Sequence, residues 1–175
     1  MPTTPFHLGP GLFAAALLFA FADLPTLLLA SVILDVEPGS HFILRSFGFS
    51  PPFAYHGALH TFIGATIVAV ALSFFLVWLV QKYRNRIKLG SYVWNPTGSS
   101  IFIASLVGLN LHIFVDSFVN TDMQPFWPYQ QNPLLGAIPP LEIYLGCFAL
   151  FVLGLLLLYA RSCAGSRFLK SASPK

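Results

Sequence analysis

From Thr61 to Val80 the chain runs for twenty residues without a charged side chain, enough as a helix to cross about 30 Å of hydrocarbon. Similar apolar runs extend from about Ser100 to Val119 and from about Leu141 to Ala160. These three predict long membrane-crossing helices. A further apolar stretch, Gly11 to Val36, is interrupted by Asp23-Leu24-Pro25, and proline there favours a new helix start. Each piece would be roughly 20 Å long by helical rise, which is short for a full crossing. The stretch is therefore either one kinked span or a hairpin of two short helices. The expected helices cover about 11–22, 25–36, 57–83, 99–119 and 140–161, in a single membrane domain over 1–162. The segment 163–175 reads as a basic, disordered tail.

Composition agrees with a lipid solvent. Only 9% of the 175 residues are charged and 56% are hydrophobic, too few charges to cover a soluble domain of this size. Eight of the nine basic residues fall at two places, Lys82 to Lys88 and Arg161 to Lys175, and the positive-inside rule assigns both to the cytoplasm. The loops 37–56 and 120–140 are then extracytoplasmic, in a multi-pass protein of the cell membrane with its C-terminus inside. Aromatics from Pro125 to Tyr129 suit the headgroup level. No basic stripe with interleaved aromatics points to nucleic acid. The N-terminus lacks the early Lys or Arg of a cleavable signal. Cys147 lies in an apolar run and Cys163 in the basic tail, so no bridge is expected between them.

Under this topology five of the six carboxylates and four of the five histidines gather at one face, and the hairpin alternative adds His7. Ionisable groups beside lipid are costly and mark functional sites. His56 and His60 are four apart at the start of one helix, so both can project from one face. His112 and Asp116 are four apart near the end of the next, and Asp35 and Glu37 close the first apolar stretch. Chelating pairs on antiparallel helices are how metal sites are built inside bundles. Mixed imidazole and carboxylate donors suit zinc best, with iron or manganese as alternatives, in one or two ions. Each pair alone has an ordinary reading as a helix-end residue or a hydrogen-bonded pair. Together, with no Lys or Arg beside them, the carboxylates need a cation. His41 and Asp122 read as solvated loop residues, and Asp23 as the cap of the second short helix.

The same residues carry a family likeness. Thr4 to Gly11, Asp23-Leu24-Pro25-Thr26, Asp35-Val36-Glu37-Pro38, His56-Gly57-Ala58-Leu59-His60-Thr61 and Leu111 to Asp116 resemble the YdjM-type membrane-bound metal-dependent hydrolases, most closely the archaeal branch. The likeness covers residues 4 to about 128. It implies a small helical membrane hydrolase with metal ligands His7, Asp35, Glu37, His60, His112 and Asp116. It also favours the hairpin, because His7 must then share a face with Asp35. His56 stands where the bacterial pattern has arginine, so its ligand role rests on spacing alone.

Two functions follow. The first is a membrane-embedded metal-dependent hydrolase acting on a phosphoester or lipid headgroup, with Glu37 as general base beside the ligands. The second is a non-enzymatic metal-binding structural or accessory membrane protein. A proton-coupled transporter fits less well, since only Asp23 lies away from the cluster.

Overall fold

Three polar side chains start three of the helices. Asp23 accepts a hydrogen bond from the Thr26 backbone at 3.0 Å and begins α2, Leu24–Ala30, with Pro25 in its first turn. Thr61 accepts from Gly64 at 2.8 Å and begins α4, Phe62–Lys82. Thr97 accepts from Ser100 at 3.1 Å and begins α5, Gly98–Ser117. The other helices are α1, Thr4–Leu17, α3, Val36–Ser46, and α6, Pro140–Ser171. Short 3-10 turns cover Ile33–Asp35 and Ala58–His60, and a two-residue antiparallel ladder pairs Lys88–Leu89 with Tyr92–Val93. These elements come from a computed structural model that describes residues 4–51, 55–83, 88–89, 92–93 and 95–171.

The protein is an all-α membrane protein: a short N-terminal helical hairpin followed by three long helices. Four stretches are long and apolar enough to cross a membrane: Leu24–Ser46, Phe62–Lys82, Gly98–Ser117 and Pro140–Cys163. Their outward faces are apolar. Phe74 on α4 is 75% exposed and Leu141 on α6 is 68% exposed, a surface that water would not tolerate over this extent. The buried side of α4 (Ala65, Ala69, Leu72, Leu76) packs on Ile101, Leu109 and Ile113 of α5. A second cluster, Ala15, Ala22, Leu27 and Ala104, joins the hairpin to α5.

The hairpin is the reading the resemblance favoured. Its turn is tied to the start of α5 by the Asp23 N–H, which donates to the Ser100 carbonyl at 3.2 Å. At the other end of α2, the Ser31 carbonyl meets His112, so α2 and α5 run side by side in one direction. α1 runs back against them and parallel to α6, its most extensive neighbour. Phe6 contacts Tyr144, Gly9 approaches the Cys147 backbone, and Phe13 meets Gly154. The turn, Lys82 and Arg161 share one end of the bundle. Arg161 lies over the Phe19 ring at 5.7 Å, and Lys82 over Trp78 at 4.7 Å. His7, Asp35, His60 and Asp116 share the opposite end.

The structure departs from the sequence expectations at three places. The first helix begins at Thr4, not near residue 11, and passes through Pro10. In lipid a continued helix satisfies more backbone than a loop would, and Gly9 and Gly11 give Cys147 and Ser31 room to approach. The expected loop over 37–56 begins with α3, where Glu37 occupies the first turn. That placement suits a carboxylate, whereas a helix C-terminus would not. α6 continues to Ser171 across most of the expected tail. Residues 172–175 of that tail, and Arg84 and Arg86 of the first basic group, lie outside the described residues.

Close packing of α2 on α5 depends on Gly108. A Cβ there would sit 2.6 Å from Ala30 Cβ and 2.8 Å from the Leu27 carbonyl oxygen, which is backbone and cannot swing aside. Gly108→Val is expected to lower stability by about 1–3 kcal/mol, the usual range for overpacking. Thermal unfolding in detergent would read this, with Gly146→Ala, which meets nothing within 4 Å, as the control. Equal midpoints for the two variants would refute the packing argument.

Candidate metal centre

Four imidazoles stand in a row at one end of the bundle. His7 stacks on His112 with ring centroids 4.0 Å apart, His112 is 5.6 Å from His60, and His60 is 4.9 Å from His56. All four are buried. They come from different elements: His7 from the first turn of α1, His112 from the penultimate turn of α5, and His60 from the 3-10 turn before α4, with His56 just ahead of it. Asp116 lies one turn beyond His112 and is 1% exposed. Its carboxylate is 3.1 Å from His7 Nε2 and 3.4 Å from His112 Nε2. Asp35, at the start of α3, brings Oδ1 to 3.8 Å from His112 Nε2.

Three of these rings are held from behind. His112 Nδ1 bonds to the Ser31 carbonyl at 2.9 Å, which requires Nδ1 to carry the hydrogen. His60 Nδ1 meets Glu37 Oε2 at 2.6 Å, and His56 Nδ1 meets the Asp122 carboxylate at 2.8 and 2.9 Å. In each case Nδ1 is engaged and Nε2 is buried with no hydrogen-bond partner. Asp35 Oδ2 is likewise buried and unpartnered, while His7 Nε2 and Asp116 Oδ1 are buried and face each other as an ion pair at 3.1 Å without an aligned hydrogen bond. Native interiors rarely leave such atoms unpaired. An imidazole whose Nδ1–H is anchored to a carboxylate or carbonyl, with Nε2 presented inward, is the arrangement that orients a metal ligand.

Burial, followed by the nearby His56 and His112 rings, pushes the His60 pKa down to about 3. Its imidazole is therefore neutral at ordinary pH, with the Nε2 lone pair available. Tyr55, edge-on to His56 and His41, has its pKa raised by burial and then by the Asp122 and Asp35 charges.

Two donor groups satisfy the spacing for a metal ion. One comprises His7, Asp35, His112 and Asp116; the other comprises His56, His60 and Asp116. Within each group the donor atoms lie within 4.8 Å of one another. Of the seven expected ligands, six are thus brought together. Glu37 joins neither group: its carboxylate is taken by His60 and, at 3.3 Å, by the Gly57 N–H. Gly57 matters here, because a Cβ would sit 2.6 Å from Glu37 Oε1. His41 differs from the solvated loop residue expected, and Asp122, although an exposed turn residue as expected, is also engaged by a histidine. His41 is buried on α3, and Asp122 is the partner of His56. Sequence reasoning missed Asp122 because it lies sixty-six residues from His56, with no periodicity to link them.

Next to the second group is a groove of about 460 Å³. His56, Gly57 and Asp122 line its polar end, and Ile63, Gly64 and Ile67 continue it along the outward face of α4, with Trp127 at the side.

A family model described as YdjM inner membrane protein matches residues 1–172, and the chain belongs to that family. No curated protein and no solved structure matches it.

A ligand that binds only the folded state stabilises it by mass action, by about 4 kcal/mol at a thousandfold excess over Kd. Protein stripped by chelator is therefore expected to melt at a higher temperature after Zn²⁺ or Mn²⁺ is restored, and His60→Ala/His112→Ala to lose that rise. A wild-type midpoint indifferent to metal would leave these donors as a polar network only.

Proposed function

We propose that this YdjM-family protein is a membrane-embedded, metal-dependent hydrolase of phosphoester-bearing amphiphiles, with zinc as the favoured ion and its site at the extracytoplasmic face. The observation that carries the reading is the set of anchored imidazoles, His56, His60 and His112, whose Nε2 atoms are buried without a hydrogen bond and converge with Asp116 and Asp35. A divalent ion held there would supply Lewis acidity, lowering the pKa of water and polarising a phosphoryl oxygen.

The chain's own residues do the rest. His7, His56, His60, His112, Asp35 and Asp116 hold the ion or ions. Glu37, expected from its sequence neighbourhood as the general base, acts here as a positioning residue: it keeps His60 Nδ1 protonated and Nε2 directed inward. Asp122 does the same for His56 and, being half exposed, also borders the groove. The groove supports a substrate with an apolar tail. Its walls, Ile63 and Ile67, belong to the face of α4 that meets lipid, so a chain could lie along α4 while its headgroup reaches His56 and Asp122. The sidedness rests on the basic residues Lys82 and Arg161 at the opposite end of the bundle.

The rival is a metal-holding structural protein, favoured by the deep burial of His7, His112 and Asp116. Turnover separates the two. Purified protein in mixed micelles is expected to release the headgroup phosphate from a long-chain phospholipid or lipid phosphate, to stop on chelation and to recover with Zn²⁺. A water-soluble ester with the same headgroup should show a much higher KM. Metal bound at full occupancy with no turnover of any phosphoester would favour the structural protein.

Glu37→Gln is expected to weaken metal affinity about 10–100-fold, the usual effect of losing such an outer carboxylate. Activity should return at saturating metal. A variant that keeps its metal yet stays inactive would instead make Glu37 the proton acceptor.

A further inference from the structure

We infer that the site holds two ions that share the Asp116 carboxylate and are unequal, the deeper one enclosed by protein and the outer one open to the groove. This rests on the metal-binding reading above and extends it to the division of labour among the donors. Six donor residues exceed the four that one zinc ion takes. They also divide without remainder into two sets that have only Asp116 in common. Each set is compact, whereas His7 and His56 stand at opposite ends of a row with two other rings between them. A single ion could not engage both ends.

The two sets differ in the manner that separates structural from catalytic sites. The deeper set offers four residues, His7, Asp35, His112 and Asp116, enough to complete a tetrahedral shell. His7 and His112 stack face to face and are both buried, as His60 of the other set is too, while Asp35 is partly exposed; what sets this group apart is its count of donors and its distance from the groove. The outer set offers three, His56, His60 and Asp116, which leaves a fourth position for an exogenous ligand. That set also borders accessible space, since His56 lines the groove and neither His7 nor His112 does. A carboxylate between two donor sets can hold ions about 3.5–4 Å apart, as in two-metal phosphoryl-transfer sites. Asp116 can serve both sets because it follows His112 by one turn of α5 and is flanked by His7 on one side and by the His60 ring's neighbourhood on the other.

Metal binding and spectroscopy test this without recourse to turnover. Detergent-purified wild type, stripped and titrated with Mn²⁺ alone, is expected to take up about two equivalents and to show the exchange-coupled EPR spectrum of a carboxylate-bridged pair. His56→Ala/His60→Ala should retain about one equivalent with an uncoupled six-line signal, leaving the deeper set filled. Asp116→Asn should abolish coupling. With Co²⁺ in place of Mn²⁺, inorganic phosphate should perturb the visible bands of the wild type and not those of His56→Ala/His60→Ala.

Saturation at one equivalent, or two equivalents with no coupling, would overturn the shared-carboxylate pair while leaving metal binding and hydrolysis standing. Phosphate perturbing His56→Ala/His60→Ala as strongly as the wild type would overturn the assignment of the open position. No bound metal in folded wild type would sink this inference and the metal-dependent reading together. Wild-type stoichiometry and coupling decide the main point even where a variant fails to fold.

Discussion

The carboxylate of Asp116 sits among packed helices at the edge of the lipid zone, and the described residues place no lysine or arginine beside it. An ionised carboxylate in such a place costs several kcal/mol unless neighbouring groups compensate it. Much of the architecture at this end of the bundle answers that constraint. α1 and α5 bring His7 and His112 against Asp116, and the turn before α4 completes the ring of imidazoles with His60. An apolar bundle without this cluster would bury its side chains just as well. The imidazoles are therefore tied to the Asp116 charge more than to the packing of the helices around them.

Holding them requires helices to approach closely, and lipid offers little hydrophobic drive between apolar helices. Small residues take over that role. Gly108 lets α5 reach Ala30 and Leu27 of α2, Gly11 lets α1 reach Ser31, and Gly9 lets α1 reach the Cys147 backbone of α6. Each approach lies close to a donor or to a group that orients one. Gly9 is two residues from His7, and Ser31, whose carbonyl orients His112, packs beneath Gly11. The anchoring groups Ser31, Glu37 and Asp122 reach their histidines from separate segments. The site is thus stiffened from several directions by elements that would otherwise have only van der Waals reasons to meet.

Charge segregation and helical spacing made a good part of this legible. The apolar runs gave α4, α5 and the membrane portion of α6, and the four-residue spacings gave His56 with His60 and His112 with Asp116 as facing pairs. What remained hidden depends on contacts distant in sequence or on backbone atoms. Asp122 and the Ser31 carbonyl have no motif to betray them. The distinction between a ligand and the residue that orients a ligand was also invisible, so Glu37 was grouped with Asp35, although the helical step between them sends one inward and the other to His60. α3 falls inside the stretch expected as an outer loop; its Pro38 stands in the first turn, where proline is tolerated, so the break in the apolar run at that point does not prevent a helix. Whether the first apolar stretch folds back could not be decided by length alone. Likeness to a family, not periodicity, pointed to the hairpin.

The parallel packing of α1 on α6 has a consequence for what holds His7 in place. His7 belongs to α1, yet that helix finds its most extensive support on α6, which begins more than 130 residues after His7. α6 contributes no donor to either set, but the contacts of Gly9 with Cys147 and of Phe13 with Gly154 brace the helix that carries His7. The support of the His7 helix thus comes from a part of the chain that supplies no donor itself, and weakening the α1–α6 seam would loosen one end of the histidine row without touching any of its side chains.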